Sequence, residues 1–252
     1  MKKKLLLIGS IIPIISFSQT IIIDENFDGY TAGNYIANES SNFTTWSNAP
    51  GTVEDAFITD TISSSPSNSV HIIGNAGPTD VLLPFPTTYT SGKYELTMKY
   101  FVNTGRGAYF NIQESTSAGV AWKLDVFFNS GGLVEILGGL SPGSATYNPG
   151  TWTDIKVTID LDLDIADVYI NNNLEHTYTF SSGSNGSGTN AAFGGINFFA
   201  YGGSSTGTES ADYFFDDVKL VKLSGLEIKE KETNEIAIYP NPNSGKFNAI
   251  FN

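Results

Sequence analysis

Apolar and polar residues alternate one for one along much of this chain. From Lys93 onward, Tyr94, Leu96, Met98 and Tyr100 fall on one side while Glu95, Thr97 and Lys99 fall on the other. A period of two is that of a pleated strand with one face in a core and one in water. Ala108, Phe110 and Ile112 stand opposite Tyr109, Asn111 and Gln113 in the same way, and Trp122, Leu124, Val126 and Phe128 stand opposite Lys123, Asp125 and Phe127. These three strands, with Leu133 to Leu137, are expected in order in one antiparallel sheet. Between Trp152 and Phe180 the pattern runs strand, acidic bend (Asp160 to Asp164), strand, Asn171-Asn172-Asn173 turn, strand; Asn and Asp tolerate the positive φ that such turns need. Shorter strands are expected at 21–28, 56–59, 69–73, 80–83 and 195–201, each bounded by Gly, Pro, Ser, Asn or Asp. No helical period is sustained, so the pattern predicts an all-β, two-sheet antiparallel sandwich.

The stretch Tyr213-Phe214-Phe215-Asp216-Asp217-Val218-Lys219-Leu220-Val221 reads as the strand that closes this sandwich against Asn26-Phe27-Asp28. At the other end, Met1-Lys2-Lys3-Lys4, an apolar run to Phe17 and small residues at 16 and 18 have the three regions of a secretory signal peptide, with cleavage after Ser18. The chain therefore divides into a leader at 1–18, a β-domain at 20–223, a charged linker at 224–235 and a tail at 236–252. The destination it implies is outside the cell or on its surface.

Charge and composition narrow the partners. The formal charge is −13, and removal of a leader holding three of the 13 basic residues leaves 10 against 26 acidic ones, a net of −16. Such a surface repels nucleic acid and anionic lipid and is indifferent to neutral glycans. With no cysteine, disulfides, thiolate metal sites and cysteine nucleophiles are all excluded. A large core or a bound cation would have to supply the stability that disulfides give other exported proteins.

Two stretches resemble known families. Tyr239-Pro240-Asn241-Pro242, followed by Ser244-Gly245-Lys246-Phe247, resembles the opening of the C-terminal sorting domain read by the type IX secretion system of Bacteroidota. In that family the motif begins a small β-sandwich, whereas here the chain stops at Asn252, one strand later, which is expected of a truncated sorting domain. Residues 20–222, through Trp152-Thr153-Asp154-Ile155-Lys156-Val157-Thr158-Ile159-Asp160 and Val168-Tyr169-Ile170-Asn171-Asn172, are similar to concanavalin A-like, or laminin-G-like, jelly-roll domains. That resemblance implies a structural calcium ion tying the termini together, with Asp28 and Asp216 as its acids.

Catalytic chemistry is harder to find. Hydrolases of this fold carry a Glu-x-Asp-x-x-Glu strand, whose alternate acids reach one glycosidic bond, and neither Glu114 nor Glu135 starts such a run. Lyases of related folds carry Arg, Gln, His and Tyr together, but here Arg106 is the lone arginine, and His71 and His176 sit in separate apolar strands. The expected function is thus a non-catalytic binding module for carbohydrate. Its surface would be the wet face of the ordered sheet, formed by Tyr109, Asn111, Gln113, Lys123, Asp125, Phe127 and Glu135 with Arg106 at the edge. An atypical polysaccharide hydrolase or lyase, in which Asp125 or Glu135 would be essential, and an adhesive surface protein are the alternatives.

Overall fold

A computed structural model of the chain describes residues 19–184, 190–223, 237–239 and 248–250. In chain order the strands of the main body are β1 (Gln19–Glu25), β2 (Thr44–Thr45), β3 (Phe57–Thr59), β4 (Ser69–Gly74), β5 (Asp80–Tyr89), β6 (Lys93–Val102), β7 (Ala108–Gln113), β8 (Trp122–Phe128) and β9 (Leu133–Leu137). They continue as β10 (Gly143–Thr146), β11 (Trp152–Asp160), β12 (Ile165–Ile170), β13 (Asn173–Thr179), β14 (Phe193–Phe199), β15 (Gly202–Ser204), β16 (Gly207–Glu209) and β17 (Ala211–Leu223). One helical turn, α1 (Ile36–Glu39), follows β1. No helix among the described residues is long and apolar enough to cross a membrane.

Two antiparallel sheets face each other. One has the order β13-β12-β11-β6-β17-β4-β3, with β1 added on β17; the other has the order β10-β9-β8-β7-β14-β5-β2. The architecture is the expected two-sheet antiparallel jelly-roll sandwich. Its core forms where the inward residues of both sheets interdigitate: Tyr100 of the first meets Phe110 and Phe128 of the second at 5.6 and 5.5 Å between ring centroids. Phe198 lies flat on Phe215 at 3.9 Å. Each such ring is fully buried, and burial of one contributes roughly 1.5–3 kcal/mol.

The alternating pattern located the strands, while their order corrects one expectation. Strand β6 does not lie beside β7; it pairs with β11 and β17 in the opposite sheet. The turn at 103–107 carries the chain from one layer to the other, which the in-out alternation of either strand cannot reveal. The meander β11-β12-β13 stands as expected, with Asp164, Asn171 and Asn172 at positive φ in its turns.

Closure also takes the expected partners. β1 pairs with the C-terminal half of β17, from Gln19 opposite Leu223 to Glu25 opposite Val218, and the N-terminal half of β17 pairs with β4. Between the halves, Asp216 and Asp217 form a bulge, with Asp217 at φ 51°. The ladder ends at Glu25, just short of Asn26–Asp28, and Phe27 turns inward to meet Phe215 edge-on at 5.5 Å. In the tail, β18 (Ala237–Tyr239) pairs with β19 (Asn248–Ile250). The linker 224–235 and Pro240 to Phe247 of the sorting motif lie outside the described residues.

Candidate active site

The outer face of the seven-stranded sheet carries the candidate site, and the strand register builds it row by row. One row runs Leu137, Asp125, Asn111, Asn197, Leu82 across β9, β8, β7, β14 and β5. The next holds Glu135, Phe127 and Tyr109 on β9, β8 and β7, and Phe199 paired with Asp80 on β14 and β5. Above these rows opens a cleft of about 410 Å³. Trp46 and Trp122, nearly parallel at 6.4 Å, stand on it as one aromatic pair. Tyr109, Phe127, Phe199 and Tyr201 form a second aromatic group, with Tyr109 and Phe127 at 4.8 Å. Tyr201 reaches it because β15 lies against the start of β7. A Cβ on Gly107 would come within 2.5 Å of the Cα of Gly202, so this approach requires glycine.

Between the aromatic groups runs a chain of hydrogen bonds. Asn197 Nδ2 donates to Asp80 Oδ1 (2.5 Å), Asn111 Nδ2 donates to Asn197 Oδ1 (2.9 Å) and to Tyr109 Oη (3.0 Å), and the Tyr109 hydroxyl donates to Asp125 Oδ1 (2.6 Å). Ser184 donates to the other oxygen of Asp125, and Gln113 donates to Asn111. Burial pushes the Asp80 carboxyl up to about 6, opposed by the Asn197 amide and helped by the charge of Glu54. Burial also raises Asp125, against the two hydroxyls that favour its anion. Tyr109 is held well above its ordinary value by burial and by the Asp125 carboxylate, so it remains a donor. A cleft floor with one carboxyl raised to about 6 can hold and transfer a proton at working pH.

The eight residues expected to bind carbohydrate separate into groups. Tyr109, Asn111, Asp125 and Phe127 line the cleft together. Gln113 is buried beside it, tied to Asn111 and to the Gly119 amide. Lys123 is fully buried rather than presented to a ligand: its Nζ reaches Glu114 Oε2 (3.2 Å) and the Ser181 and Asn190 carbonyls. The turn after β13 folds over it. Glu135 lines a separate depression and accepts from the Ser205 amide and hydroxyl. Arg106 is exposed in the turn between β6 and β7, outside the cleft lining.

Sequence reasoning did not pick out Trp46, Asp80, Asn197, Trp122, Phe199 or Tyr201 as site residues. Alternation along β14 would have marked Asn197, Phe199 and Tyr201, which stand opposite Ile196 and Phe198. Trp122 was expected inward. A register shift after Ile112 sets it opposite Gln113, and its ring stacks on Trp46 in the cleft.

Asp28 and Asp216 meet at one loop, as amide acceptors. Asp216 is completely buried; Oδ2 accepts from the Ser64 and Ser65 amides (2.7 and 3.2 Å) and Oδ1 from the Asp217 amide (2.7 Å). Asp28 Oδ1 accepts from the Ser67 and Asn68 amides. Amide hydrogens directed at these oxygens take the positions a cation would occupy, so the arrangement does not fit the expected calcium ion. No cluster of three or more His, Cys, Asp or Glu suited to a metal occurs among the described residues. Both histidines have structural partners: His71 bonds Asp212 at 2.8 Å and stacks on Phe214, and His176 bonds the Gly138 carbonyl.

No protein-family model and no curated protein matches the chain. Solved structures do. It is similar to an alginate lyase solved with alginate trisaccharide, at TM-score 0.50 and 16% identity over 80% of this chain and 98% of the lyase. It is also similar to the endo-β-1,3-glucanase of Pyrococcus furiosus, at TM-score 0.50 and 12% identity over 86% of this chain and all of the enzyme. A sialidase matches at TM-score 0.56 and 13% identity over 81% of this chain, which spans 18% of the sialidase's length. The likeness is one of fold. It counts against the expectation of a non-catalytic module, because the lyase and the glucanase, each matched over nearly its whole length, are enzymes built on this sandwich.

Proposed function

We propose that this protein is a polysaccharide-cleaving enzyme whose active site is the cleft on the seven-stranded sheet. The observation that carries the reading is the pair Asp80 and Asp125 on one cleft floor, joined through Asn197, Asn111 and Tyr109. The alginate lyase and the glucanase of the same fold support it. Glycoside hydrolysis needs one carboxyl that holds a proton and one that stays ionised. Asp80, pushed up to about 6 and accepting one side-chain amide, suits the acid. Asp125, receiving hydroxyl donors on both oxygens, suits the base.

Asp125 and Asp80 stand on strands three places apart, about 14 Å at the backbone from the usual 4.8 Å strand spacing. Retaining hydrolases need carboxyls about 5–5.5 Å apart and inverting ones about 6.5–9.5 Å, so this wide pair suits only the inverting, water-mediated reaction, with both side chains leaning toward each other over the cleft. In the proposed reaction that water attacks the anomeric carbon and gives its proton to Asp125. The glycosidic C–O bond breaks as Asp80 protonates the leaving oxygen, and the anomeric configuration inverts. Release of new reducing ends from a polysaccharide panel tests this, with the first product's anomer read by NMR. Asp80→Asn and Asp125→Asn should each lose about 10²–10⁴-fold in rate while staying folded. Unchanged rates in both variants would sink the assignment.

Export belongs to the same proposal. The leader at 1–18 and the Tyr239 to Phe247 motif support secretion through the type IX machinery to the surface or medium. Deleting 236–252 in a bacterium carrying that system should leave the protein inside the envelope; unchanged release would count against the motif.

A further inference from the structure

We infer that the cleft takes a neutral, hydroxyl-rich glycan and rejects uronate or sulfated chains, an inference that rests on the cleft being the glycan site. The decisive feature is how the hydrogen-bond donors of the floor are spent. Asn111 Nδ2 gives its two hydrogens to Tyr109 Oη and Asn197 Oδ1. Asn197 Nδ2 gives its two to Asp80 Oδ1 and the Val81 carbonyl. The hydroxyls of Tyr109 and Ser184 both point to Asp125. An amide has two donor hydrogens and a hydroxyl one, so these groups have none left for a ligand. What the floor offers is acceptor capacity on Asp80 and Asp125, the complement of sugar hydroxyls.

No cation among the described residues corrects this balance. None of the residues lining the cleft is Lys or Arg. The nearby lysine, Lys123, is fully buried, and its three ammonium hydrogens are matched by Glu114, Ser181 and Asn190. A uronate in this cleft would meet the carboxyls of Asp80 and Asp125 with no Lys or Arg in the lining to pair with its own charge, inside a chain of formal charge −13. An unpaired like charge in a partly desolvated site is strongly disfavoured. Neutral rings, by contrast, can stack on the Trp46–Trp122 pair at one end and on Tyr109 and Tyr201 at the other.

Affinity electrophoresis of the full chain separates this inference from the catalytic one. Gels would contain laminarin, xylan or galactan as neutral probes and alginate or polygalacturonate as anionic ones, with cleavage of the same five polymers assayed in parallel. At least one neutral polymer should retard the protein, with affinity about tenfold or more above either anionic one, and Trp46→Ala should abolish most of that retardation. Retardation by a neutral polymer without cleavage upholds the ligand class and breaks the catalytic reading. Cleavage confined to alginate or polygalacturonate upholds an enzyme and overturns the ligand class. Retardation by no neutral polymer overturns the ligand class outright.

Discussion

Two carboxyls of this protein are pushed up to about 6, Asp80 at the start of β5 and Asp216 in the bulge of β17, and in both the first cause is burial. Their wiring differs. Asp216 is closed off completely and receives three backbone amides, two from a loop some 150 residues earlier in the chain. Asp80 receives one side-chain amide and opens on the cleft. A raised titration point therefore does not separate structure from chemistry here; accessibility and the kind of donor do. Backbone amides that would be orphaned make a carboxyl structural, whereas a single side-chain donor beside open space leaves it free to react.

The comparison is most exposed to substitution by alanine. Asp216→Ala strands three amides in the gap where β17 changes partner from β4 to β1, and should cost about 3 kcal/mol or more, since each unsatisfied buried group costs roughly 1–3 kcal/mol. Asp80→Ala leaves one hydrogen of the buried Asn197 amide without its acceptor beside an open cleft, and should cost about 1 kcal/mol, well below the Asp216 loss. Urea denaturation measures both, and equal losses would erase the distinction. The Asp216 loss should be the same in calcium and in chelator, because the acceptors are filled by amides; a calcium-dependent loss would restore the ion.

Protons give the next test. With Asp80 as the acid, kcat/KM should fall about tenfold per pH unit above about 6, and this limb should vanish in Asp80→Asn. Asp216 should leave the rate profile alone and appear in stability instead. Its folded value lies above the 3.8 of an ordinary aspartate, so the native state binds the proton more tightly than the unfolded chain does. Its contribution is fully present below about pH 4 and is lost as pH rises through about 6, a change of at most roughly 3 kcal/mol. Relative to Asp216→Asn, wild type should therefore lose stability between those limits and then level off; a rise over that window would reverse the sign.

The smallest effect is expected at the cleft's rim. Trp46 is 39% exposed, so Trp46→Ala should raise KM about five- to tenfold, with kcat and stability little changed, as befits loss of a stacking contact worth roughly 1 kcal/mol. A drop in kcat instead would place Trp46 nearer the reacting bond.

Much of this was legible from residue order. Alternation placed Tyr109, Asn111, Asp125 and Phe127 on one outward face, and it marked the aromatic and paired-acid stretch of β17 as the strand that closes the domain against β1. It missed Asp80 because a single acid at the start of a short apolar run carries no periodic signal. It misplaced Trp122 because a bulge breaks the period by one residue, and it offered Lys123 to a ligand because nothing local shows that the turn at 180–184 folds over it.

The sequence by itself determined that this is an all-β sandwich, most of the residues that point inward, and that the chain is strongly acidic without cysteine. Those properties follow from neighbours one or two positions apart. Tertiary structure alone decided that β6 belongs to the other layer, that Asp216 is an amide acceptor in the closing bulge, and that a carboxyl at position 80 meets an amide at 197 across 117 residues. Sheet order and donor exhaustion depend on which distant strands pair, and a two-residue period carries no information about that.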